Sequence, residues 1–267
     1  MKPERVDGYV VGVNPGDRMD VLGRFPFSEG SVDDAVSSAM RGFVLWRQCS
    51  LSQRVQAVRR YREGLSKYQA QFARLISREI GKPLWEARQE VLQSLRAVDL
   101  ILEDGLALLE SRVLDEREAR SDYIPRGVVG ILTPYNSPLY VPTLHVAASL
   151  IAGNTVVFKP SKFAPAVGQG VAELIDRCKL PRGVFNLIQG SGGTIGQRLA
   201  TVIDARFAFY ERQRDRFGPA KRMFGNCRDN RAFKHAIWGF ELYPNTRSIA
   251  AHGFGPLEAI LLARSRQ

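Results

Sequence analysis

From Gly127 onward the chain alternates short, mostly apolar runs with stretches of helical period, and this alternation limits the fold more than any other feature. The runs "GVVGIL" (127–132), "NTVVFKP" (154–160) and "GVFNLIQG" (183–190) show no polar face, as strands buried on both sides do. Between and after them, "PTLHVAASLIAG" (142–153), "APAVGQGVAELIDRCKL" (164–180) and "TIGQRLATVI" (194–203) read as helices, the first closing at Gly153. Strands and helices in turn predict a parallel α/β sheet with right-handed crossovers. Ligands of such sheets bind beyond the carboxyl ends of the strands. Here those ends are "TPYN", "KPSK" and "QGSGG".

A helical lead-in precedes the sheet. "GYVVGVNPGDR" (8–18) reads as a strand and a Pro-Gly turn. A helix is expected to open at Ser31, with Asp34 completing a capping-box-like pair and Val32, Ala35, Val36, Ala39, Met40 and Phe43 facing inward. A second is expected over about 52–67, with Val55, Val58, Tyr61 and Leu65 inward, and a third over about 68–80, stopped by Gly81. One long helix is expected from near Pro83 to near Ser111, followed by "RVLDEREARSD" as a solvated linker or edge strand.

Composition narrows the class. Hydrophobic content of 45% and charged content of 24% suit a globular protein of one large or two modest domains. No apolar run is long enough to span a membrane, and the first residues carry no secretory h-region. Cys49, Cys178 and Cys227 are far apart and form no C-x-x-C, so a reducing cytoplasm is expected, with neither a disulfide framework nor a metal site. Residues 201–267 hold 12 Lys+Arg and 6 Asp+Glu, a net of +6 out of +11 for the whole chain. The character of the sequence therefore changes near residue 205.

Three strand ends carry the candidate chemistry. Lys159 places a cation where a ribose hydroxyl or a phosphate would lie; the plain alternative is a surface lysine ending a strand. "GSGGTIG" (190–196) would let backbone approach a pyrophosphate, or is simply a glycine-rich turn. Asn136 would donate its amide to a developing oxyanion, or form an Asx turn before Pro138.

The order of these boxes is more specific than any one of them. "GVVGILTPYNSPLYVPTLHVAASLIAGNTVVFKPSKFAP" followed by "LPRGVFNLIQGSGGTIGQRLA" resembles the nucleotide-binding domain of the aldehyde dehydrogenase superfamily. The lead-in resembles the same family, and the likeness runs from about residue 8 to 205. "GKPLWEA", with His145 eight residues before Gly153, is most similar to the branch that oxidises N-succinylglutamate semialdehyde in arginine breakdown. The resemblance implies an NAD- or NADP-dependent oxidation of a small aldehyde to a carboxylate, in a cytoplasmic homo-oligomer. It implies that Asn136 lines an oxyanion hole and that Thr133, Pro134 and Tyr135 line the nicotinamide side of the cleft. Lys159 and Ser161 would contact the adenosine ribose, Gly190 and Gly196 would lie beside adenine and pyrophosphate, and His145 would lie near the substrate channel.

The sequence also departs from the family pattern. Lys162 stands where an acidic residue commonly grips the ribose hydroxyls, which favours a 2′-phosphate and leaves NAD and NADP both open. The family's nucleophilic cysteine and its glutamate base belong in G-Q-x-C and E-L-G-G boxes. Here Cys227 sits in "GNCRDN" and precedes Glu241, which is followed by Leu-Tyr-Pro. The expectation is a dinucleotide-binding domain over 1–205 lacking its catalytic domain, with little or no turnover and an incomplete oligomer interface. A basic tail over 206–267, unlike the family, would be frameshifted, disordered or a genuine extension. The competing readings are a non-catalytic binding or regulatory protein built on the same half-fold, and single-stranded nucleic acid held by Arg212, Arg214 and Arg216 with Phe217, Phe224 and Phe233. Charge and aromatics without a recognised module make nucleic acid the weaker of the two.

Overall fold

The computed structural model of the chain describes residues 6–110, 112–114, 119–121, 123–203 and 208–210. The frameshift and nucleic-acid expectations, with Cys227 and Glu241, fall outside the described residues.

The chain opens with an antiparallel hairpin of β1 (Gly8–Asn14) and β2 (Asp17–Phe27), regular from Gly8 opposite Phe27 to Gly12 opposite Gly23, with the register shifting on either side of Val13 before Asn14 meets Asp17. Asn14 closes the turn by accepting the Gly16 N–H at 3.0 Å, an Asx turn. Four helices follow: α1 (Gly30–Trp46), α2 (Leu51–Lys67), α3 (Gln69–Ile80) and α4 (Leu84–Glu103). Gly81 ends α3 in the left-handed conformation at φ 79°, as its position in the sequence leads one to expect. Three expectations fail here. Ser31 does not cap α1; its hydroxyl donates to the Ser28 carbonyl at 2.6 Å, and the capping box is instead at Ser50 and Gln53, ahead of α2. Met40 faces outward at 61% exposure, and the stripe continues through Gly42 to Trp46 instead. The long fourth helix stops at Glu103 and gives way to a tighter 3₁₀ turn over Gly105–Leu109, because Asp104-Gly105 interrupts the helical run.

After a small antiparallel pair, β3 (Arg112–Leu114) with β4 (Ala119–Ser121), the predicted sheet appears. It comprises β5 (Val128–Leu132), β6 (Thr155–Lys159), β7 (Phe185–Leu187) and β8 (Ala208–Tyr210), joined through α5 (Tyr140–Ile151), α6 (Pro165–Asp176) and α7 (Gln197–Val202). All pairings are parallel, and the order is β7-β6-β5-β8. β8 lies beyond residue 205, where the apolar alternation is no longer readable; it pairs with Gly130–Leu132.

β6 is buried at every position because both faces of the sheet are covered. Val129, Ile131, Val156 and Phe158 point into one core, shared with α2, α3, α4, α5 and α6. Leu132 and Val157 point into the other, where Val32, Ala35, Val36 and Ala39 of α1 meet Leu199 and Ile203 of the α7 segment. Gly130 faces Ile203, whose Cδ1 would lie 2.8 Å from a Cβ at that position, so the helix rests directly on strand backbone. The lead-in is therefore part of the core: the Trp46 indole N–H donates to the Leu150 carbonyl at 3.1 Å, and the Tyr61 hydroxyl meets Thr143 Oγ1 at 2.8 Å, both buried.

Candidate functional site

Successive strands step from β5 to β6 to β7 in one direction, and β8 then returns to the other side of β5. A crevice opens at such a reversal, outside the carboxyl end of β5. The residues at that end are Thr133, Pro134, Tyr135 and Asn136.

Lys159 ties the neighbouring strand ends together. Its carbonyl accepts the Thr133 N–H at 3.3 Å, extending the β5–β6 ladder by one bond. Its ammonium donates to the Pro160 carbonyl at 2.6 Å and to the Gly190 carbonyl at 3.1 Å. The surface-lysine alternative is thus excluded: Lys159 is 3% exposed. Burial pushes its ammonium down to about 8, with repulsion from Lys162 adding to the effect. Among the described residues two of the three ammonium hydrogens are engaged, which leaves one for a ligand oxygen.

The loops themselves are shaped for close approach. Gly190 sits at φ 132°, and a Cβ there would collide with Ile195. The Ser191 hydroxyl accepts the Thr194 N–H at 3.1 Å, and the chain then makes one wide helical turn over Gly192–Gly196, with the Gly196 N–H reaching the Ser191 carbonyl at 3.1 Å. A Cβ on Gly196 would come within 3.1 Å of Leu132 and 3.4 Å of the Lys159 stem. The smallest residue therefore lets the third loop lie close over the first two strand ends. Ser161 holds its own loop by accepting the Phe163 N–H at 3.2 Å. Lys162 rests its ammonium 4.9 Å from the centre of the Phe163 ring, a cation–π contact at the rim of the cleft. Phe163 in turn meets Tyr135 edge-on, ring centres 5.7 Å apart, bridging the β5 and β6 loops.

Asn136 is exposed on the bend between β5 and α5, ahead of Pro138. Thr133 Oγ1 is buried with no hydrogen-bond partner among the described residues. This orphaned hydroxyl and the glycine-lined approach beside Lys159 fit a ligand rich in hydroxyl and phosphate oxygens, as a dinucleotide is. The structure thus brings Thr133, Tyr135, Asn136, Lys159, Ser161, Lys162, Gly190 and Gly196 to the same edge. His145 is different: it lies inside α5 at 2% exposure, and burial pushes its imidazole down to about 4. Cys178 is buried and its thiol is pushed up to about 11, which suits a packing role; Cys49 is half-buried. Among the described residues no group of His, Cys, Asp and Glu is placed to hold a metal, and no helix is long and apolar enough to cross a membrane.

Two residues that matter here were not singled out from the sequence. Glu90 of α4 accepts the Leu139 and Tyr140 N–H groups at 2.8 and 3.2 Å, and its other oxygen accepts from Lys82 Nζ at 2.8 Å. Glu79 of α3 accepts the Ala166 and Val167 N–H groups at 2.7 and 2.8 Å. Each closes the start of a sheet helix. The available signal was position: Glu79 falls in the inward stripe of Phe72, Ala73 and Ile76, and Glu90 in that of Ala87, Val91 and Ser94.

Comparison with known proteins agrees with this geometry. The family profile described as aldehyde dehydrogenase family matches residues 7–208. N-succinylglutamate 5-semialdehyde dehydrogenase of Burkholderia mallei (strain SAVP1) is 39% identical over 187 residues, which are 68% of this chain and 38% of that protein. The chain thus spans less than two-fifths of the length of the curated relatives it matches. An aldehyde dehydrogenase from Bartonella henselae superposes with a TM-score of 0.70 at 29% identity, over 74% of this chain and 42% of that one. An NADP-dependent enzyme of E. coli superposes with a TM-score of 0.67, also at 29% identity, over 72% and 40% of the two chains. The extent of the profile match and the parallel sheet with its three loops lead to one conclusion: the chain belongs to the aldehyde dehydrogenase family.

Proposed function

We propose that the carboxyl edge of the sheet binds a nicotinamide dinucleotide, NAD or NADP, and that this chain does so without oxidising an aldehyde by itself. The observation that carries the binding half is the Lys159 junction, which joins the β5, β6 and β7 ends through Thr133 N and Gly190 O. When bound, the dinucleotide supplies the hydride acceptor of aldehyde oxidation. Thr133, Pro134 and Tyr135 line its nicotinamide side. Lys159 offers its remaining N–H, and Ser161 its hydroxyl, to the adenosine ribose. Gly190 and Gly196 let backbone lie against adenine and pyrophosphate. Lys162 is mobile enough on its four-carbon stem to leave the Phe163 face for a 2′-phosphate, which supports NADP alongside NAD. Asn136, exposed beside this cleft, donates its amide to an aldehyde oxygen. His145 is assigned to the substrate channel by the family likeness alone; it is buried within α5 and neutral.

The absence of turnover rests on the nucleophile. Cys49 lies on the lead-in, Cys178 is buried with its thiol held protonated, and Cys227 lies in no G-Q-x-C box. The substrate class proposed for the whole family member is a dicarboxylic semialdehyde such as N-succinylglutamate semialdehyde, supported by the naming of the Burkholderia relative. The test is calorimetric titration of the full chain with NAD and NADP, followed by a turnover assay with that semialdehyde read as reduced-dinucleotide absorbance. Binding without turnover is expected. Failure to bind either dinucleotide overturns the binding half; turnover lost in Cys227→Ala overturns the inactive half.

A further inference from the structure

We propose that Glu79 is a positioning residue for the dinucleotide: from outside the nucleotide-binding sheet it anchors the first turn of α6 and so fixes the Lys159–Ala164 loop in its binding form. The inference deepens the dinucleotide reading and rests on it for its affinity readout.

The geometry is specific. α6 begins immediately after the loop that carries Ser161 and Lys162. A helix start leaves backbone N–H groups without intrahelical partners, and a local side chain usually takes one of them. Here Ala164 precedes the helix and has no side chain to do so. Both oxygens of Glu79 arrive from α3 instead, 87 and 88 residues away in sequence, and take Ala166 N and Val167 N at 2.7 and 2.8 Å. The site is built for that carboxylate. It is 3% exposed, and Gly12 of β1 lies so close that a Cβ there would approach Glu79 Oε1 to 2.8 Å. The same helix start is held from a third side, where Gln189 Nε2 donates to the Pro165 carbonyl at 3.1 Å. Gln189 immediately precedes Gly190, whose carbonyl binds Lys159. One anchored turn therefore sets the positions of the β6 loop and the β7 loop together.

Glu79 is also able to change state. Burial pushes its carboxyl up to about 7, against the pull of the two N–H bonds. The charged groups that flank it in sequence are paired with other residues. On α3 itself, Arg78 bonds Asp20 of β2. At the start of α4, Lys82 bonds Glu90 and Glu86. β1 has no charged residue from Gly8 to Asn14, and α6 has none before Glu173. A protonated carboxyl can still accept one N–H, but its O–H then confronts the other, so the anchor loosens on acidification.

The experiment measures NAD affinity of the full chain and of Glu79→Gln between pH 5 and 7. In that range Lys159 stays charged, His145 stays neutral and the pyrophosphate keeps its charge. The expected result is that the unaltered chain weakens as pH falls, and that Glu79→Gln binds about tenfold more weakly at pH 7 with a flat profile. Equal affinity with an unchanged pH slope overturns the proposal. Amide hydrogen exchange over 161–168 is the second readout: Glu79→Gln is expected to exchange faster there while the start of α5 is unchanged. If the unaltered chain binds no dinucleotide, the functional reading fails, and the exchange result alone decides the anchor; unaltered exchange then overturns it. Should Glu79→Gln not fold, Glu79→Asp keeps the charge one methylene short. It is expected to bind more weakly yet keep the pH slope, and a flat profile in that variant would count against the proposal.

Discussion

Acidification should move the stability of this protein in opposite directions through two buried groups, and single substitutions should reveal each. Glu79 titrates near 4.5 when exposed but near 7 in the folded chain. The folded state therefore takes up the proton first, and the stabilisation from this group is full below about 4.5 and lost as pH rises through about 7. His145 titrates near 6.5 when exposed but near 4 when folded, because its imidazole is desolvated inside α5. Its contribution is present above about 6.5 and lost as pH falls through about 4. Each gap corresponds to about 3 kcal/mol, and the two windows overlap, so they largely cancel in the unaltered chain. The assay is urea unfolding of the unaltered chain, Glu79→Gln and His145→Gln at pH 7.5, 6 and 5. Subtracting curves removes every group common to both proteins. From pH 7.5 to 5, Glu79→Gln should lose about 3 kcal/mol relative to the unaltered chain, and His145→Gln should gain about 2 kcal/mol. Differences that stay constant with pH for either variant would refute the reasoning for that group. Local and global effects separate here: protonated Glu79 relieves the burial of a charge while holding the α6 turn less firmly.

Three further outcomes are expected. Glu90→Ala should cost about 3 kcal/mol, seen as a drop of roughly 6–12 °C in melting temperature, because it strands two N–H groups at the start of α5 and removes the main partner of Lys82. Tyr61→Phe should cost about 1–2 kcal/mol in urea unfolding, since it leaves the buried Thr143 hydroxyl without the oxygen 2.8 Å away. Gly190→Ala should weaken NAD binding by about tenfold or more in calorimetry, because φ 132° and the neighbouring Ile195 both exclude a side chain, and displacement of this loop pulls its carbonyl from Lys159.

The sheet was legible because its signal is local. β5, β6 and β7 are apolar runs bounded by glycine or proline; of the helices between them, α6 shows one inward stripe and α5 is apolar and buried nearly all round. β8 was not, since three residues joining an existing sheet need no periodicity of their own. At the start of α1 the Ser31–Asp34 spacing suggested a cap, but that spacing carries no information on where the helix begins; with Gly30 already helical, the Ser31 hydroxyl turns back to Ser28. Met40 and Trp46 exchanged places in the expected stripe because both are apolar, and only the sheet behind α1 decides which one is covered. The strand-end residues were found by order and spacing. Glu79 and Glu90 were passed over for the opposite reason. Their partners are backbone N–H groups 49 to 88 residues away, and backbone leaves no trace in a sequence. A lone acid in an apolar stripe was the one visible sign.

The contacts that bind lead-in to sheet have a consequence for the order of synthesis. Trp46 to Leu150, Tyr61 to Thr143, Thr155 to Ala39 and Glu79 to Ala166 span 104, 82, 116 and 87 residues. A ribosome makes the four helices well before it makes the sheet and the sheet helices they pack upon. Until α6 emerges, the inward stripe of α3 presents Phe72 and Ile76 with a charged Glu79 among them, and that charge keeps the nascent helix hydrated. It is buried only when the α6 amides arrive to receive it. The acid that later holds the cleft would thus first act as a solubilising group on an unfinished chain, which defers collapse until the correct partner exists.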